Sequence, residues 1–157
     1  MLSIFQHKDE QDILDAQNLL KKQIMDLGSA LFFSEGKSEL QLPVHIINNV
    51  LVDDEQQIWF LIHRPTQALS EFDAVMAAKL DFFKKGMSYQ VKVMGTAYIV
   101  DDAAKVQELA GEGVDAQGLV AIKVAMSKAD YLPNVQQQKP AQGWFKQTKM
   151  LSSFFFA

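Results

Sequence analysis

Apolar residues first recur at three- and four-residue steps, at Ile13, Ala16, Leu20, Ile24 and Leu27. That spacing predicts an amphipathic helix over residues 12–27, with this face turned to the core. Asp9 or Asp12 can cap its start, and Gly28 suits the left-handed position after its end. The period then changes. "ALFFSEG" is a short apolar run closed by a glycine turn, and "ELQLPVHIINNVLVDDEQQIWFLI" reads as two strands around the acidic turn Asp53-Asp54-Glu55. Pro43 cannot donate to a ladder, which puts it at a strand edge or bulge where backbone opens to a ligand. After the turn at Arg64-Pro65, Leu69, Phe72 and Val75 or Met76 fall at helical spacing. No proline or glycine interrupts them before Gly86, so this pattern predicts a helix that can run to Phe83.

"KKGM" gives a hairpin turn, after which Tyr89, Val91 and Val93 alternate with Gln90, Lys92 and Met94, as a strand with one buried face does. Gly95 marks a bend or a close approach of backbone. Asp101 or Asp102 then caps a short helix, "AAKVQELAG", and "LVAIKVAMS" is a further strand of about eight residues. "PNVQQQKPAQ" has the composition of a linker. Residues 1–132 are thus expected to form the folded domain, and residues 133–157 a linker and an aromatic tail.

The order is helix, three strands, helix, two or three strands, short helix, strand, tail. Strands joined mostly by hairpins predict a mainly β (α+β) fold, a closed or nearly closed antiparallel barrel with an N-terminal helix and short peripheral helices. No Gly-x-Gly-x-x-Gly follows a strand and no Walker-type loop is present, which removes the common nucleotide frameworks.

Composition narrows the function classes. With 157 residues, 48% of them hydrophobic, the chain can bury a core of its own. A net charge of -4 and scattered lysines argue against a nucleic-acid groove. The absence of cysteine excludes disulfides, thiolate zinc sites and cysteine nucleophiles. No leader-like segment and no long apolar span are seen, so a cytoplasmic protein without a membrane anchor is expected. His45 and His63 are the histidines on predicted strands, and without a carboxylate partner they do not make a metal site. Trp59 and Phe60 are both expected in the core.

Four segments together resemble a known family. They are "LPVHIINNVLVDDEQQIWFLIHR", "TQALSEFDA", "YQVKVMGTAYIVDDAAKVQEL" and "LVAIKVAMSKADY". Their order and spacing are similar to those of FMN-binding split barrels of the pyridoxamine 5'-phosphate oxidase kind, especially the small general stress proteins. The resemblance implies an antiparallel split β-barrel, a homodimer holding FMN in clefts at the subunit interface with the C-terminal aromatic tail packing on the dimer, and a flavin-dependent oxidoreductase of unassigned substrate. It places the phosphate at His63, Arg64, Thr66 and Gln67, where a guanidinium, a hydroxyl and a helix start suit an anion. It places the flavin ring near Pro43, Val44 and His45, and offers Trp144 of the tail as a wall for that ring. Two departures stand out. Thr66-Gln67-Ala68 replaces the family's Ser-x-Lys, and Leu42-Pro43-Val44 replaces its Arg-Pro-Met. Both remove a cation, and they favour the alternative of a split-barrel dimer that has lost FMN and binds another small ligand or a protein.

Overall fold

The computed structural model describes residues 2–35, 42–66 and 75–133, with the side chains of the first helix from Asp9 onward. Helix α1 (Leu2–Leu27) leads into β1 (Ser29–Glu35), β2 (His45–Ile47), β3 (Leu51–Val52), β4 (Gln57–His63), β5 (Val75–Phe83) and β6 (Tyr89–Val100). Helix α2 (Ala103–Ala110) and the long strand β7 (Leu119–Pro133) complete the order. All seven strands join one antiparallel sheet in the order β2-β1-β5-β6-β7-β4-β3. The sheet is curled into a half-barrel, the mainly β architecture expected from the sequence.

The curl follows from chain length. Strands β2 and β3 are the two ends of the sheet order, yet only residues 48–50 separate them. A flat sheet of this order would be roughly 29 Å wide at about 4.8 Å per strand. Four Cα–Cα steps reach at most about 15 Å. The two edges are therefore tied close together. Asn49 makes the switch with a left-handed φ of 57°, a conformation that asparagine tolerates better than most residues. This corrects the expectation of a single strand before the acidic turn: "HIINNVLV" is two short strands on opposite edges.

Strand β5 is a second correction, since the helical spacing was expected to reach Phe83. Met76, Ala78, Leu80 and Phe82 are buried and their neighbours more exposed, a period of two. Ala77, Ala78, Lys79 and Leu80 are good helix formers in isolation, but β1 and β6 occupy both hydrogen-bonding edges of this segment. Leu69 and Phe72, the earlier part of that helical pattern, lie outside the described residues.

The barrel interior is apolar, with Phe32, Phe60, Phe82, Leu80 and Ile122 fully buried. Phe32 and Phe60 meet edge to face at 5.1 Å. Helix α1 contributes only its last turns to this core. Ile24 and Leu27 are buried and Leu20 packs partly against them, whereas Ile13 is 59% exposed and Ala16 is exposed too. The first half of the predicted core face therefore meets no described residue that covers it. Gly28 ends the helix as expected, with φ 74° and its N–H on the Ile24 carbonyl.

Strand alternation separates Trp59 from Phe60. Phe60 enters the core, while Trp59 lies half-buried on the outer face under α2, with the Lys105 ammonium 4.5 Å from its ring centre. Its indole N–H donates to Asp53 at 2.9 Å, and Asp53 also accepts from the backbone N–H groups of Glu55 and Gln57. Burial raises the Asp53 pKa, but the Trp59, Gln57 and Glu55 hydrogen bonds and the Lys105 charge outweigh it, and the carboxyl sits below its ordinary value. Asp102, not Asp101, caps α2 by accepting from the Ala104 N–H at 3.0 Å.

Gly95 is both a bend and a close approach. The β6–β7 register jumps from Met94↔Lys128 to Gly95↔Met126, leaving Ser127 as the bulged residue with its hydroxyl on the Met94 carbonyl. A Cβ at Gly95 would overlap the backbone oxygen of Ala125. Gly95→Ala is expected to destabilise the protein by roughly 1–3 kcal/mol, the usual cost of forced overpacking. Urea unfolding measures it, and a variant as stable as the parent would contradict this packing.

Candidate ligand groove between β2 and β4

Among the described strands, β2 is paired only with β1, and β4 only with β3 and β7. The sheet thus curls until β2 faces β4 across a slit that no ladder closes. At this slit lies a groove of about 320 Å³ lined by Leu42, Pro43 and His45 on one side and by His63, Arg64, Pro65 and Thr66 on the other. Five of the residues singled out from the sequence, Pro43, His45, His63, Arg64 and Thr66, come together here. Val44 lies between two of them with its side chain 57% exposed and is not part of the lining. Gln67, Ala68 and Trp144 lie outside the described residues.

Each side of the groove is fixed by a ladder. His45 is registered on Phe32 and its ring lies 6.3 Å from the phenyl ring, so the core positions the imidazole. The buried Nδ1 of His45 has no hydrogen-bond partner among the described residues. His63 is registered on Leu119, and the next residue, Arg64, donates its backbone N–H to the Gly118 carbonyl at 2.7 Å. Thr66 is exposed, with its hydroxyl available at the mouth.

Arg64 borders a second cavity of about 470 Å³ beneath α2, which Asp101 and Val106 also line. Its guanidinium grips Asp101 with both nitrogens, Nη1 on Oδ2 at 2.9 Å and Nη2 on Oδ1 at 2.6 Å. The hydrogen bond from Arg64 holds the Asp101 carboxyl below its ordinary pKa despite some burial, and the same bond and charge raise the pKa of Arg64. Each side chain is about half exposed, so the pair adds little to stability, but it sets where the guanidinium points. Asp101 is the residue that sequence reading missed as a member of this site. Of the two adjacent acids, Asp102 takes the cap, which leaves Asp101 free for a cation 37 positions earlier. No group of three His, Cys, Asp or Glu side chains able to hold a metal occurs among the described residues. None of their helices is long and apolar enough to cross a membrane.

No family model matches the chain, and no curated protein matches it. Solved structures do. A protein related to general stress protein 26, of the pyridoxine phosphate oxidase family, from Clostridium acetobutylicum superposes with a TM-score of 0.55 at 14% identity, covering 74% of this chain and 88% of that one. A general stress protein 26 from Jannaschia gives 0.57 at 16% identity over 87% and 88%. The general stress FMN/FAD binding protein of Xanthomonas citri gives 0.53 at 13% identity over 80% and 92%. The chain therefore has the fold of the general stress and pyridoxamine 5'-phosphate oxidase-like split barrels.

The Arg64–Asp101 pair has a direct spectroscopic consequence. In Arg64→Gln the Asp101 carboxyl is expected to titrate higher than in the parent, because the bond that favours its charged form is gone. A carbon-detected NMR titration of the carboxyl measures this, and an unmoved titration would contradict the bidentate pair.

Proposed function

We propose that this chain is a flavin-binding protein that holds FMN in the β2–β4 groove and works as a cytoplasmic homodimer in flavin-dependent oxidoreduction. The observation that carries the reading is the groove itself, where two sequence segments some twenty residues apart, around Pro43 and around Arg64, meet as its two walls. Leu42 and Pro43 offer an apolar wall, and His45 a polar contact, which together suit a heteroaromatic ring. The Thr66 hydroxyl suits a phosphate. In this reading the ring lies by Pro43, Val44 and His45, and the phosphate lies by His63, Arg64, Thr66 and Gln67, with Trp144 closing on the ring. A bound flavin supplies hydride or electron transfer, and the chain's residues bind it, orient it and keep water from one face.

The fold similarity to an FMN/FAD binding protein supports the same reading. The homodimer is supported by exposed apolar side chains flanking His45 of the groove: Val44 at 57% and Ile46 at 70% exposure. A second reading has its own support. Arg64 is already paired with Asp101, and Ala68 stands where a lysine is usual in the resembling family, both of which suit a module that has lost FMN and takes another small ligand.

Titration of purified apoprotein with FMN and with riboflavin, followed by quenching of flavin fluorescence, is expected to show saturable binding of one flavin per chain. His45→Phe keeps an aromatic ring but removes both ring nitrogens, and is expected to weaken flavin binding by about tenfold, near 1.4 kcal/mol. Absence of quenching with both flavins would overturn the flavin reading in favour of the second one. Sedimentation is expected to give a dimer at micromolar concentration, and a monomer there would remove the interface cleft.

A further inference from the structure

Arg64 is the one cationic side chain among the described residues that line the groove, and a carboxylate already fills its fork. Two parallel N–H···O bonds are also how a guanidinium grips a phosphate, so Asp101 takes one such pair of the five N–H donors and neutralises the charge behind all of them. The partners are anchored from both sides. The backbone of Arg64 is bonded to Gly118 at the head of β7, and Asp101 sits between the end of β6 and the capping residue of α2. A phosphate monoester arriving here meets a pair with no net charge. If it takes the guanidinium for itself, it leaves Asp101 as an unpaired carboxylate beside a dianion, which repels it.

We propose that Asp101 is a specificity-determining residue that masks Arg64, so that the groove recognises a flavin by its ring and side chain and discriminates little in favour of the phosphorylated form. This rests on the flavin reading given above. It departs from the placement of Arg64 as a free phosphate clamp, because Asp101 already neutralises the guanidinium and takes one of its bidentate donor pairs.

The test compares the affinities of FMN and riboflavin for the full-length parent, Asp101→Asn, and Asp101→Asn combined with Arg64→Ala. The parent is expected to bind the two flavins within about threefold of each other. Asp101→Asn is expected to tighten FMN by about tenfold while leaving riboflavin unchanged, the size of one charged hydrogen-bonded contact. That gain should vanish when Arg64 is also replaced. Asp101→Ser should behave like Asp101→Asn, which separates loss of the charge from any effect peculiar to the amide. An unchanged FMN-to-riboflavin ratio in folded Asp101→Asn, or the same gain without Arg64, would overturn the role of Asp101. Failure of every variant to bind either flavin would overturn the flavin reading and this inference with it.

Discussion

The constraint on which the rest depends is the three-residue link between β2 and β3. It ties together two strands that occupy opposite ends of a seven-strand order, and no flat sheet can satisfy it. Asn49, left-handed in the middle of that link, turns the chain from one edge to the other. Curling the sheet brings β2 opposite β4 without pairing them, because each already has a partner ladder elsewhere. The groove is what remains between them. Its chemistry is set by whichever residues fall at the end of β4 and around Pro43, so fold and site have one cause.

A second device sharpens the curl on the far side. At Gly95 the long strands β6 and β7 slip register, and only a residue without a side chain lets the Ala125 carbonyl come so near. Helix α2 joins the end of β6 to the start of β7, and it covers the outer face of β4 through Val106 and the Lys105–Trp59 contact. The outer layer therefore brings Asp101 to the end of β4, where Arg64 waits. A pair joining positions 37 apart is a product of topology and not of local sequence.

Much of this was legible from pattern and turn chemistry. The alternation of Tyr89, Val91 and Val93, the glycine turn of "KKGM", the glycine after α1 and an aspartate cap on α2 all appear in the structure where the residues suggest them. Other features depend on neighbours and left weaker traces. Residues 75–83 have helical propensity in isolation and become a strand because both edges are filled. The break at Asn49 is hidden inside a continuous apolar run. Ile13 and Ala16 have core spacing but lie beyond the reach of the barrel that buries Ile24 and Leu27. At the site, Pro43, His45, His63, Arg64 and Thr66 were identifiable as candidates, while the unpartnered Nδ1 of His45 and the engagement of Arg64 needed coordinates.

The central claim is that the slit between β2 and β4 is where a flavin sits, and amide NMR of the isotopically labelled protein with and without FMN addresses it residue by residue. The account predicts the largest shifts at His45, His63, Arg64 and Thr66, with the Trp59–Lys105 face and the exposed half of α1 little affected. Shifts concentrated on either of those surfaces, with the groove residues unmoved, would contradict it.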